Sequence, residues 1–299
     1  MTTQREVAVV VNPLAGRGRA GRLLGPVVER LSGLGVSSRV VSGRDAAEAV
    51  GLAHKAVADG CDALVALGGD GTAHLALQAV AGTETPLALV PAGTGNDLAV
   101  ALGVPQETTA AVDLVARGTV RCVDAALAGD TWWVGVLGSG FDSRVTERAN
   151  QMRWPRGPRR YDVAILAELR VLRPVRFTLT LDGVAHDLDA VFIAVGNSQA
   201  YGGGIRITPD AVLDDGLLDV TVVGRLSRRR LVRVLPSAYK GEHVRDPAVT
   251  QHRASTVGLA SPGQVAYADG ERLGPLPVRS ECRAGALRVL VPAAGRQRP

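Results

Sequence analysis

Ala63 to Thr72 reads A-L-V-A-L-G-G-D-G-T, and a helical pattern from Ala73 to Val80 follows it directly. A short apolar run that stops at two glycines, an aspartate, a third glycine and a threonine describes a buried parallel strand, a tight turn and a helix start. Glycines let backbone approach a ligand closely, and the first turn of a helix offers free N–H groups and a positive dipole end to an anion. The stretch reads as a phosphate-binding turn, with Asp70 set to handle a metal or to order the phosphates. An ordinary strand-to-helix turn needs no carboxylate there.

Upstream, Val7 to Asn12 is a β-branched run ending in Asn-Pro, followed by Gly16, Gly18, Gly21 and a helical pattern through Leu31. Val36 to Val41 reads as a second strand, and Ala46 to Ala58 as a second helix with Asp45 as its N-cap. Downstream, Pro86 to Pro91 supplies a fourth strand, broken by A-G-T-G-N-D and a short helix to Leu102. Gln106 to Arg117 is a further helix and Val120 to Leu127 a further strand. This alternation predicts an α/β domain with a doubly wound parallel sheet over residues 1–125.

Beyond residue 125 strands dominate, at Trp132–Leu137, Phe177–Leu181, Ala190–Val195, Leu217–Val223, Val265–Ala268 and Ala286–Val291. Helical stretches lie near Ser143–Met152, Tyr161–Leu172 and Ser227–Tyr239. The prediction for residues 126–299 is a mainly antiparallel β-sandwich domain, whose last strand is free to return to the first domain. Ala293 to Pro299 is expected to fray.

An apolar fraction of 46% with 21% charged residues is that of a soluble globular protein. No apolar run of membrane-spanning length occurs, and polar Met1 to Glu6 predicts no signal peptide. Cys61, Cys122 and Cys282 are far apart and odd in number, so they read as buried thiols of a reducing, cytoplasmic compartment. The net charge of +5 is almost entirely arginine and suits an anionic partner. Nucleic acid is disfavoured, because aromatics are only 3% and no stacking platform interleaves the basic residues.

Gly16-Arg-Gly-Arg-Ala-Gly21 matches G-x-G-x-x-G after a strand, but the second strand ends Val41-Ser42-Gly43-Arg44 without the acidic residue a ribose wants. The Walker A lysine and the protein-kinase lysine signature are both missing. Phosphoryl transfer must then use carboxylates, metal and backbone. Pro91-Ala-Gly-Thr-Gly-Asn-Asp-Leu-Ala99 again follows a buried strand, so Gly93, Thr94, Gly95 and Asn96 fall on the same sheet edge as Gly68, Gly69, Asp70, Gly71 and Thr72. Leu213-Asp-Asp-Gly-Leu-Leu-Asp-Val220 puts Asp214, Asp215 and Asp219 around a turn, either as hard-cation ligands or as an ordinary hairpin. Tyr267-Ala-Asp-Gly-Glu-Arg272 sets Asp269 and Glu271 across another Asp-Gly turn.

Taken together these stretches resemble the diacylglycerol kinase catalytic family, bacterial lipid kinases to which sphingosine and ceramide kinases are also similar. The matching motifs are N-P-L-A-G at 12–16, G-G-D-G-T at 68–72, P-A-G-T-G-N-D-L-A at 91–99 and G-S-G-F-D at 138–142. G-N at 196–197, G-G-G at 202–204, P-D-A-V-L-D-D-G-L-L-D-V at 209–220 and D-G-E at 269–271 follow in the family's order. The G-G-D-G turn alone is shared with NAD kinases and phosphofructokinases; G-T-G-N-D with the late D-G-E sets this chain apart.

The resemblance implies an NAD kinase/diacylglycerol kinase-like fold in which ATP and a lipid meet between two domains. Asn12, Pro13, Leu14, Ala15, Gly16, Gly68 to Thr72 and Thr94 would contact the nucleotide, with Ser42 where the family has a threonine. Asp70, Asp97 and Asp124 would form a carboxylate and water network around a catalytic magnesium ion. Asp215, with the backbone carbonyls of Val212 and Leu217, resembles the family's structural magnesium site. Asp269 or Glu271 would take the proton from the lipid hydroxyl, diacylglycerol being the first expectation among acceptors. A sphingoid or other lipid kinase, an NAD kinase-like enzyme and a non-catalytic nucleotide- or lipid-binding regulator are the alternatives. Alanine at Asp70 or Asp269 is expected to lower turnover by several orders of magnitude and leave melting nearly unchanged.

A lipid acceptor calls for contact with a bilayer. From Arg144 to Arg176 nine arginines face three acids, with Trp154, Pro155 and Tyr161 among them, and Arg225, Arg228, Arg229, Arg230 and Arg233 form a second basic group. Peripheral association with an anionic membrane surface is expected. The sequence sets no oligomeric state, and a homodimer is one option.

Overall fold

The computed structural model describes residues 5–13, 15–152, 154 and 159–293, with only the backbone of Ala15 and Arg17. Leu14, Pro155 and the tail beyond 293 lie outside the described residues. The chain divides into two units, one ending at Ala125 and resuming at Arg283, the other spanning Ala126–Cys282.

In the first unit, β1 (Glu6–Val11), β2 (Ser37–Val41), β3 (Ala63–Gly68) and β4 (Leu87–Pro91) lie parallel in the order β2-β1-β3-β4. The end of β16 (Val278–Val291) adds to β4 in parallel, and β5 (Thr119–Ala128) pairs with β16. All residues of β3 and β4 are buried, the condition of central strands covered on both faces. Helices α1 (Ala15–Gly33), α2 (Ala46–Ala58), α3 (Asp70–Val80), α4 (Asp97–Ala101) and α5 (Thr108–Arg117) connect them. Asp45 caps α2 by accepting the Glu48 N–H at 2.9 Å, as its position in the sequence predicts. Glu107 caps α5 through the N–H groups of Thr109 and Ala110.

The chain steps from β1 outward to β2, then returns past β1 to β3 and β4. Right-handed crossovers turn that reversal into helices on opposite faces, with α1 against α5 and α2 against α3. The reversal also makes the carboxyl ends of β1 and β3 the topological switch point, where open α/β sheets bind ligands.

The second unit is a β-sandwich. One sheet runs β12-β11-β10-β7-β14-β15, antiparallel throughout, from β7 (Val136–Gly140), β10 (Phe192–Gly196), β11 (Leu218–Val223), β12 (Val249–Ala254), β14 (Val265–Ala268) and β15 (Glu271–Pro275). The other runs from the start of β16 through β13 (Thr256–Ala260) and β8 (Val175–Leu181) to β9 (Val184–Ala190), and β6 (Thr131–Trp133) pairs with the end of β5. Trp133, Leu137, Phe177, Ile193 and Leu218 fill the core between them. A second apolar cluster, including Phe141, Val145, Ala164, Phe192 and Leu231, joins the sheet to α6 (Phe141–Gln151), α7 (Arg159–Arg170) and α8 (Arg228–Val234).

Several boundaries differ from expectation. The run Trp132–Leu137 is two strands, β6 and β7, because Val134 and Gly135 turn away between them. The helix expected to reach Tyr239 ends at Val234 and continues as a 3₁₀ segment, Leu235–Lys240, with Pro236 in its first turn. Strands β9, β12, β13 and β15 were not foreseen, nor was the first half of β16. Cys122 is exposed, because β5 buries itself only from Val123 onward.

Candidate active site

In the first unit the turns after β1, β3 and β4 begin at one level. Val11 pairs with Leu67, and Gly68 with Pro91. Side chains would keep these turns apart, and glycines bring them together. A Cβ on Gly93 would stand 2.6 Å from the Gly69 Cα, and one on Gly16 (φ +59°) 2.6 Å from the Ala92 carbonyl oxygen. The first, third and fourth turns thus gather at the switch point, as the spacing of their glycines predicts. Asn96 holds the fourth turn: its Oδ1 accepts the Gly93 N–H at 3.0 Å and its Nδ2 donates to Gln106 at 3.0 Å. It takes the left-handed conformation (φ 55°, ψ 43°) that asparagine tolerates.

Asp70 opens α3, and its Oδ2 accepts the Asn96 N–H at 2.9 Å, tying the third turn to the fourth. Asp97 opens α4. A Cβ on Gly95 would stand 2.9 Å from Asp70 Oδ2 and 3.9 Å from Asp97 Oδ1, so the two carboxylates flank one glycine. Asp124 is anchored elsewhere on the sheet, buried on β5 with Oδ1 accepting the Gly285 N–H at 2.8 Å. Gly68 and Thr72 are buried at the turn, whereas Asn12, Pro13, Ser42, Gly71 and Thr94 are exposed on that rim. Two carboxylates beside one glycine suit magnesium, which takes one or two carboxylates and completes its shell with water and phosphate. Among the described residues no group of three or more His, Cys, Asp or Glu side chains gathers at metal-holding distance.

The second unit sorts the two acidic residues of the D-G-E turn. Asp269 and Gly270 form a two-residue hairpin turn with both φ positive, 52° and 83°. Asp269 Oδ2 accepts the Val134 N–H at 3.0 Å and Oδ1 the Gly135 N–H at 2.8 Å. This carboxylate is a clasp that holds the turn between β6 and β7. The Gly135 carbonyl in turn accepts the N–H groups of Asn197 and Ser198 at 3.0 and 3.1 Å, joining the G-N motif to the same end of the sheet. Glu271 begins β15 exposed, and among the described residues its carboxylate has no hydrogen-bond or ion-pair partner.

Sequence reasoning passed over Asp142, the last residue of the G-S-G-F-D motif. It opens α6, and burial pushes its carboxyl up to about 6 against the opposing pull of a hydrogen bond from Tyr201. Burial likewise pushes the Tyr201 hydroxyl upward, reinforced by Asp142.

The structural cation site is arranged differently from expectation. Asp215–Gly216 is not a hairpin turn; it lies in the long connection from β10 to β11. Asp215 Oδ1 accepts the Leu217 N–H at 3.1 Å, and Oδ2 is bound by the Arg253 guanidinium. Val212 is exposed. A metal ion on Asp215 would have to displace or abut that guanidinium, so the expected magnesium set of Asp215, Val212 and Leu217 does not fit at its carboxylate.

Comparison with known proteins gives the family. Residues 6–128 match the family model of the diacylglycerol kinase catalytic domain, and 135–291 match that of the YegS C-terminal NAD kinase beta sandwich-like domain. A diacylglycerol kinase of Mycobacterium tuberculosis is 42% identical over 97% of this chain and 96% of its own length. A YegS-like lipid kinase homologue of Stenotrophomonas maltophilia is 31% identical over 80% of this chain and 82% of its own length. The crystal structure of a Bacillus anthracis diacylglycerol kinase shares the fold, with a TM-score of 0.73 at 22% identity over 98% of this chain and 99% of that one. The chain belongs to the diacylglycerol kinase catalytic-domain family and is a phosphotransferase of the lipid-kinase class.

Proposed function

We propose that this chain is an ATP- and magnesium-dependent kinase that phosphorylates a lipid hydroxyl, with diacylglycerol as acceptor and phosphatidic acid as product. One observation carries the reading: three glycine turns gather at the switch point, and Asp70 and Asp97 flank Gly95 there. Backbone N–H groups and the start of α3 suit phosphates, without any phosphate-gripping lysine. In this reading residues 1–125 form the nucleotide-binding domain and the β-sandwich the lipid-substrate domain. Asn12 to Gly16, Ser42, Gly68 to Thr72 and Gly93 to Asn96 hold the nucleotide, and Asp70 and Asp97 hold the catalytic magnesium, with Asp124 contributing through water. When bound, that ion neutralises charge on the transferred phosphoryl group. Glu271 takes the proton of the acceptor hydroxyl. Its exposed carboxylate, without a partner among the described residues, supports this role over Asp269, both of whose oxygens are committed to backbone N–H groups. The acceptor rests on the name of the Mycobacterium tuberculosis relative.

Radiolabelled ATP incubated with a total lipid extract tests the proposal. Labelled phosphatidic acid is the expected product, lost in Glu271→Ala. A different labelled lipid would reassign the acceptor, which the YegS-like relative makes the leading alternative. Label in NADP when NAD is offered, or no transfer to any lipid, would overturn the reading.

A bilayer-bound acceptor also gives the α7 surface a use. Val163 and Leu166 are exposed along one stripe of that helix between Arg159 and Arg170, with Trp154 and Val171 exposed near its ends. Arg144 and Arg148 face buried Glu168, but among the described residues Arg159, Arg170 and Arg173 have no acidic partner. An apolar stripe edged by free arginines suits an anionic leaflet. No helix among the described residues is long and apolar enough to cross a membrane.

A further inference from the structure

We infer that in this chain the Arg253 guanidinium is the resident cation of the second unit's acidic turn, taking the place of a bound divalent metal ion. Arg253 lies on β12 directly opposite Asp219 on β11. Its Nη2 binds Asp215 Oδ2, and its Nε stands 3.5 Å from Asp219 Oδ1, so one guanidinium spans the turn and the strand it leads into. The other Asp215 oxygen accepts the Leu217 N–H at 3.1 Å, so both oxygens of this carboxylate already have donors.

The charge that needs neutralising is concentrated. Asp219 is 5% exposed and its Oδ2 has no hydrogen-bond partner among the described residues, and Asp210, bound to Gln251 at 3.0 Å, lies close enough to oppose its ionisation. Buried carboxylates require a counter-charge. A guanidinium fixed on the neighbouring strand supplies one with directed donors and no dissociation equilibrium. A divalent ion brought to Asp215 would meet that positive charge at contact distance. The arrangement therefore makes the cohesion of β11, β12 and the acidic turn independent of metal.

This inference goes beyond the kinase reading and is tested without turnover, by thermal melting of the full chain free of nucleotide, in EDTA and in MgCl₂ at matched ionic strength. Any magnesium response of the wild-type midpoint, which Asp70 and Asp97 could give, is expected to persist unchanged in Asp215→Asn. Arg253→Met is expected to melt lower in EDTA and to recover with magnesium: at 100 times its dissociation constant the ion would favour the folded state by about a hundredfold. Adding Asp215→Asn should remove the recovery, and Arg253→Lys should stay indifferent to metal. A magnesium-raised wild-type midpoint that Asp215→Asn abolishes would overturn the inference, as would an Arg253→Met protein that folds but ignores magnesium. If Arg253→Met does not fold at all, the wild-type and Asp215→Asn measurements decide.

Discussion

Replacing Asp269 by alanine should destabilise the second unit severely, contrary to what its place in a D-G-E motif suggests. Its carboxylate accepts two backbone N–H groups, from Val134 at 3.0 Å and Gly135 at 2.8 Å, and Val134 is fully buried. A hydrogen bond to a charged group contributes about 1.5–3 kcal/mol, and the alanine leaves both donors without that acceptor. Asp269 also sits at φ 52°, where an alanine costs about a further 1 kcal/mol. The expected loss is about 4–7 kcal/mol. At about 2–4 °C per kcal/mol for a unit of this size, the midpoint should fall by at least about 8 °C.

Circular dichroism melts of four variants separate the terms. Asp269→Gly relieves the backbone strain and should recover about 1 kcal/mol of the alanine loss. Asp269→Asn keeps one acceptor and the left-handed preference, and should fall midway. Glu271→Ala should melt like wild type, since its carboxylate is exposed and has no partner among the described residues. An Asp269→Ala protein with a wild-type midpoint would refute the clasp. It would also restore Asp269 as a candidate base.

Three further outcomes follow from the same geometry. The folded protein keeps the Asp142 proton up to about pH 6 while the unfolded chain releases it near 3.8, so stability should fall as pH rises between those values; Asp142→Asn should flatten that slope and gain up to about 3 kcal/mol above pH 6 in urea titrations. Gly93→Ala should displace the third and fourth turns, because its Cβ would lie 2.6 Å from the Gly69 Cα, and nucleotide affinity measured by calorimetry should collapse with it. Arg170→Glu should weaken sedimentation with anionic vesicles by at least about fivefold, at about 1 kcal/mol for the lost charge, with the difference vanishing in high salt.

The first unit was legible because its signals are local. The apolar run Ala63–Gly68 and the turn beside it are contiguous, and Asp45 caps a helix three residues from the amide it accepts. The strands that escaped are those whose burial comes from elsewhere in the chain. β9 reads V-A-H-D-L-D-A with its first four residues exposed, and β12 exposes its four middle residues, so neither alternates. Each is a strand because β8 or β11 offers it a ladder. β16 is longer than its apolar end suggests because its first residues pair with β13 and its last with β4.

The same distinction governs the carboxylates. Asp269 and Glu271 stand two residues apart in one motif, and nothing in their spacing says which has its oxygens committed. That is decided by amides at Val134 and Gly135, more than 130 residues away in sequence. Asp215 and Arg253 are 38 residues apart, and their pairing depends on the register of β12 against β11. A motif fixes which chemical groups are present; long-range contacts fix what each oxygen is free to do. Loss of turnover in Asp269→Ala therefore confounds chemistry with architecture, and in this chain Glu271 is the position where the two come apart.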